Sequence, residues 1–144
     1  MWKFALVGIV LMIGTGCETQ QRAKTVEPPT EAGARTGKVS NIVINESVTP
    51  ATLTVNAGDE VRWLNHRQRP VVVQVAEPLD GRIACRNGFS KALAMGVENE
   101  TTIDPNETAG LCFSRLGTVR YSVRSDDTDD PQPLQDTQGT ITVE

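Results

Sequence analysis

The sequence predicts an all-β fold, an antiparallel β-sandwich, on two observations. From Lys38 onward apolar residues recur at every second position, the period of a strand with one face buried. Short turn signals rich in Gly, Pro, Asn and Asp divide these runs at regular spacing.

Each element follows from that alternation. Ile42 and Ile44 alternate with polar neighbours, and Thr49-Pro50 then turns the chain. Leu53 and Val55 alternate with Thr52 and Thr54. Ala57-Gly58-Asp59 supplies a tight turn, since glycine accepts left-handed backbone and aspartate bonds its own turn. Val61 and Trp63 flank Arg62 on the next strand. Val71-Val72-Val73 is unbroken, as in a strand buried on both faces. Asp104-Pro105-Asn106 and Leu116-Gly117 are further turns. Val119, Tyr121 and Val123 alternate with Arg120, Ser122 and Arg124, and Ile141 and Val143 with Thr140 and Thr142. Phe89 to Gly96 has room for a helical turn or two. The valines, isoleucines, Trp63 and Phe113 are expected to form the core between two sheets, with Trp63 there for packing rather than function.

The start of the chain has a different character. A single charge, Lys3, precedes an almost wholly apolar run from Phe4 to Ile13. That reads as a secretory signal, because a membrane-spanning helix needs about 20 apolar residues. Gly14-Thr15-Gly16-Cys17 follows. Small residues before a cysteine resemble the lipobox of bacterial lipoproteins. The resemblance implies a leader over 1–16 and a lipidated Cys17 that anchors the protein to a membrane facing the periplasm. Glu18 stands where an aspartate would mark inner-membrane retention, which favours the outer membrane. Gly14 stands where the lipobox prefers leucine; the alternative is a signal cut nearby that leaves Cys17 free. Residues 17–37 hold one branched aliphatic, Val26, no aromatic, and the breakers Pro28-Pro29. Such a stretch buries too little to offset its ordering entropy and is expected to be a flexible tether. Residues 38–144 are then one domain, near the lower end of comfortable size.

Cys85 and Cys112 are the remaining cysteines. In an exported protein such a pair is expected to form a disulfide, and its spacing fits no zinc pattern. The net charge of −4, with no basic run, argues against nucleic acid as a partner.

Leu53-Thr54-Val55-Asn56-Ala57-Gly58-Asp59-Glu60-Val61-Arg62-Trp63-Leu64-Asn65 resembles two successive strands of the cupredoxins, the blue-copper family. Arg69 to Val73, Val119 to Ser125 and Gly139 to Val143 are similar to later strands of that family. The resemblance covers most of residues 38–144 and implies a Greek-key sandwich. The ligands it would require are missing. A blue-copper ion takes two histidines, a cysteine and usually a weak methionine; here Val71, Ser125, Thr128 and Thr137 stand at those places. The chain has one histidine, His66, which reads as a solvated loop residue, with a surface or intermolecular metal contact as the alternative.

Asp126, Asp127, Asp129 and Asp130 cluster in one loop. They read as a solvated loop, as a calcium site without the glycine and terminal glutamate of an EF-hand, or as partners for Arg67 and Arg69. The last follows from the resemblance, which brings the two loops together at one end of the sandwich. No catalytic set emerges: Ser114 and Ser125 lack a second histidine or a lysine pattern nearby, and there is no phosphate-binding glycine loop. The expectation is a non-enzymatic cell-envelope lipoprotein without cofactor or metal, a binding or structural module for an envelope protein or small ligand. The alternative is a copper-binding electron-transfer protein with an atypical or intermolecular site.

Overall fold

The computed structural model of the chain describes residues 34–89, 98–134 and 137–144. The leader, Cys17, most of the tether and most of the Phe89 to Gly96 stretch lie outside the described residues.

Ten strands follow: β1 Val39–Ile44, β2 Val48–Thr49, β3 Thr52–Val55, β4 Glu60–Asn65, β5 Val71–Val75, β6 Ile83–Asn87, β7 Glu100–Ile103, β8 Thr108–Phe113, β9 Gly117–Ser125 and β10 Thr137–Val143. They form two five-stranded sheets, β2-β1-β4-β8-β6 and β3-β10-β9-β5-β7. The fold is the all-β two-sheet sandwich that the alternation predicts. Two pairings within it are parallel: β1 with β4, in register from Val39↔Glu60 to Ile44↔Asn65, and β10 with β3. The route of the chain explains them. β2 runs back along β1, the chain crosses to the other sheet at Pro50 after a cis Thr49–Pro50 bond, and β3 continues onward. β4 then returns beside β1 in the same direction.

The predicted inward residues are inside. Ile42, Ile44, Val61, Trp63, Val119, Tyr121, Val123, Ile141 and Val143 are buried, and all three valines of 71–73 are buried as expected. Leu53 is only partly covered, because β3 is an edge strand. Trp63 is the centre of the core. Tyr121 packs edge-on against it at 5.6 Å and Phe89 tilts over it at 5.7 Å. Tyr121 donates its hydroxyl to the carbonyls of Pro50 and Ala51 at 3.3 and 3.2 Å, stitching the crossover to the core. Burial pushes its phenol up to about 12. Across from Tyr121 on β10 stands Gly139, where a Cβ would lie 2.1 Å from Tyr121 Cζ, so only glycine fits under the ring.

Cys85 on β6 and Cys112 on β8 face each other and are joined by a disulfide, with Cα atoms 4.8 Å apart. β6 bonds only to β8 within its sheet, so the bridge pins an edge strand to the body.

The two ends of the sandwich differ. At one end the chain enters: Val39 pairs with Glu60, Glu60 with Cys112, and Gly117 with Val143. At the other, Ile44 pairs with Asn65, Leu64 with Thr108, and Val71 with both Ser125 and Ile103. Residues 34–37, whose composition groups them with the tether, are fastened at the entry end. Thr36 donates its N–H to Gly58 O at 3.1 Å and its hydroxyl to Asp59 Oδ1 at 2.5 Å. Gly58 has φ +90°, and a Cβ there would lie 2.1 Å from Ala34 O. Asp59 is buried, accepts the N–H of Asn56 and lies 3.6 Å from Lys38 Nζ.

Candidate functional site

Opposite the entry end, loops 45–47, 66–70 and 126–134 meet. Asn65 organises them. It closes β4 fully buried, where an amide must find partners for both its donor and its acceptor. Its Nδ2 donates to Arg69 O at 2.8 Å and Ile103 O at 2.9 Å, and its Oδ1 accepts the N–H of Arg67 at 2.9 Å. That folds 66–69 back on itself and aims two arginines at the acidic loop.

Arg67 crosses to it. Its guanidinium donates to Asp130 Oδ2 at 2.7 Å, to Gln132 O at 2.5 Å and to Asn45 O at 3.2 Å, joining all three loops. Both side chains of the Arg67–Asp130 pair are largely covered, 11% and 3% exposed. Nε of Arg67 is buried with no hydrogen-bond partner. Arg69 makes a second ion pair with Asp127, whose other oxygen accepts the N–H of Asp129. Asp130 also accepts the N–H of Gln132 at 2.9 Å and the Ser125 hydroxyl at 3.1 Å. The Gln132 N–H, then the Ser125 hydroxyl and the Arg67 guanidinium, hold its carboxyl below the ordinary 3.8, against burial that pushes it up. The open cleft beside this clasp has a volume of about 610 Å³ and is lined by Asn45, Glu46, His66, Arg67, Gln68 and Pro131 among others. His66 is exposed there, and its backbone N–H donates to Ile44 O.

The arginine–aspartate contact that the resemblance implies is therefore present. Asp127 and Asp130 turn toward guanidinium groups instead of converging on a cation site. Among the described residues no three His, Cys, Asp or Glu side chains are grouped to hold a metal. A blue-copper ion does not fit the donors at this end. Val71 is fully buried in the core. Ser125 Oγ donates to Asp130 and accepts from the Leu134 N–H at 2.7 Å. The rest of the set is guanidinium, carboxylate, amide and the single imidazole of His66, in place of a thiolate and paired imidazoles.

Sequence reasoning missed two residues. Asn65 carried a signal, a polar residue in the inward register of a strand, one step from a charged loop. Asp59 carried one as well, but its partner Thr36 lay in a stretch assigned to the tether.

Asp59 and Asp130 give a pH prediction. The Thr36 hydroxyl, followed by the Asn56 N–H and amide and the Lys38 charge, holds Asp59 below 3.8, with burial opposing. Both carboxyls thus have depressed folded values. Their contribution is complete above the unfolded value near 3.8 and is lost as pH falls through the lower folded values. Urea unfolding followed by circular dichroism is expected to show flat stability down to about pH 5 and a fall below it, to which Glu77 also contributes, burial raising its carboxyl but bonds from Arg120 holding it below the ordinary 4.5. Asp130→Asn should lower the plateau and reduce the slope.

No protein-family model matches the chain, nor does any curated protein. Solved structures do. The chain is similar to an oxidized methionine-to-leucine mutant of amicyanin, 21% identical over 81% of this chain and 95% of that one, with a TM-score of 0.47. It is also similar to a reduced tryptophan-to-tyrosine mutant of amicyanin, 20% identical over 81% and 95%, TM-score 0.44. A purple cupredoxin from Nitrosopumilus maritimus is 14% identical over 73% of this chain and 99% of its own, TM-score 0.45. This is a likeness of chain trace; the strand order itself carries the assignment of fold.

Proposed function

We propose that the chain is a non-enzymatic binding or structural module, a cupredoxin-like sandwich whose metal end has become a salt-bridged clasp between loops. The observation that carries it is Arg67 and Arg69 engaging Asp130 and Asp127 at the end where the family places copper. Each guanidinium neutralises a carboxylate and leaves no soft donor behind. The Ser125 hydroxyl is spent on Asp130 and Leu134, and the carboxylate it faces is held ionised by Arg67 and is too weak a base to activate it, which argues against an enzyme. The disulfide supports an extracytoplasmic setting, where such bonds persist. The lipobox-like segment adds anchoring at Cys17 on the periplasmic side, with the outer membrane favoured. A partner, protein or small polar ligand, would meet the 610 Å³ cleft beside the clasp.

Adding cupric ion to the purified full chain tests this reading. The expected result is no intense thiolate-to-copper band in the visible spectrum and no copper retained through gel filtration. One copper retained per monomer would overturn it. Copper retained only by a dimer, lost in His66→Ala, would favour an electron carrier with an intermolecular site.

A further inference from the structure

We propose that the entry end of the sandwich docks on an anionic phospholipid surface, with Leu116 inserted among the lipids and Arg82 and Arg115 on the headgroup phosphates. This rests on the anchored reading above. Fully extended, the stretch from Cys17 to Ala34 spans at most about 60 Å. A nine-residue strand such as β9 is about 30 Å long. The tether alone would therefore let either end of the domain face the membrane, and the chemistry of the two ends decides.

Two large hydrophobic side chains stand exposed among the described residues, Val39 at 39% and Leu116 at 72%. Both are at the entry end. Val39 opens β1 beside Glu60, and Leu116 tips the turn between β8 and β9. One exposed leucine is ordinary on a soluble protein. Its surroundings set this one apart. Arg115 precedes it, and the turn at residues 79–82 packs beside it: Ser114 donates its N–H to Arg82 O, and a Cβ on Gly81 would lie 3.7 Å from Arg115 Nη2. Arg82 and Arg115 are exposed, as is Arg35 where the chain arrives, whereas Lys38 is paired with Asp59 and adds no free charge. Asp80 and Glu144 are also exposed at this end, so charge alone makes a modest attraction and the leucine must add to it.

The loop end has the opposite character. Asp104, Glu107, Asp126 and Asp129 are exposed there, with Glu46 at the cleft, while Arg67 and Arg69 are consumed by ion pairs. An anionic surface repels that end and attracts the basic one, within a Debye length of about 8–10 Å. A weak apolar and basic contact suffices when an acyl chain already holds the domain nearby, because tethering raises its effective concentration at the surface. The cleft beside Arg67 is then turned away from the membrane, toward the envelope space.

The test uses full-length protein purified from membranes and reconstituted in vesicles of phosphatidylcholine, alone or mixed with phosphatidylglycerol. Backbone amide exchange of residues 79–82 and 114–117 is the readout, with mass measurement of the Cys17 peptide. The expected result is an acylated Cys17, flotation with both vesicles, and exchange at those turns slowed several-fold only on the mixed vesicles. High salt should weaken that protection, and Leu116→Asp should abolish it while flotation persists. Leu116 is too exposed for that change to unfold the domain, which circular dichroism will confirm. Equal exchange on both vesicles with flotation intact overturns the docking. An unmodified Cys17 with no flotation overturns the anchoring itself.

Discussion

Replacing Trp63 by alanine is expected to lower the unfolding free energy by about 3–5 kcal/mol, the cost of emptying a large aromatic site in a packed core. The residue is fully buried, sits on β4 in one sheet, and meets Tyr121 of β9 in the other and Phe89 beyond the end of β6. Its removal takes contacts from both sheets at once. Small domains have margins of about 5–15 kcal/mol, so the variant should be partly unfolded at physiological temperature. Trp63→Phe separates packing from polarity. The indole N–H is buried with no partner, and an unpaired buried donor costs about 1–3 kcal/mol. Phenylalanine keeps most of the ring and drops that donor, so it should cost less than half of the alanine change. Urea unfolding by circular dichroism measures both. Equal losses would mean that the retained ring contributes nothing to the packing and would overturn the prediction.

Loss of the Cys85–Cys112 bridge is the second large effect. The bridge spans 27 residues, and the loop-entropy relation gives about 3.5 kcal/mol for a loop of that size. The Cys85→Ala, Cys112→Ala double variant, or the native chain in strong reductant, should lose about that much. An unchanged unfolding midpoint in reductant would remove the bridge from the account of stability. The two effects share a contact. Freeing β6 loosens the chain at Phe89, which packs on Trp63. Their costs should therefore fail to add when combined with Trp63→Ala.

The strands legible in the sequence were those with one wet and one dry face. β4, β9 and β10 alternate cleanly, and β5 announces itself by an unbroken run of valines. β6, β7 and β8 were harder for separate reasons. β6 is an exposed edge strand, so little in Ala84-Cys85-Arg86-Asn87 needs to be apolar. β7 is short and shows threonine where an aliphatic would mark the inward face: Thr101 is buried because its hydroxyl donates to Gly88 O. β8 is buried on both faces, since the Glu60 side chain lies over Gly110 and hides the alternation. Strand direction was read as antiparallel, which most pairings are, but the parallel pairings of β1 with β4 and β10 with β3 were not legible. A period of two is the same for parallel and antiparallel neighbours, and only the crossover at Pro50 orients β4 along β1. At the loop end the charges pointed to each other correctly. The hub that aims them, Asn65, makes its bonds to backbone atoms, and backbone partners leave no mark in sequence.

The fastening of Thr36 to Asp59 has a mechanical consequence. Tension applied to the chain ahead of Thr36 reaches its bonds to Gly58 and Asp59 before β1, which is aligned with its neighbour β4 over six residues. Such a pull acts lengthwise on the pair, so its hydrogen bonds must slip together instead of opening one by one like a zip. Force applied at residue 36 is therefore resisted at the point where this segment joins the sandwich.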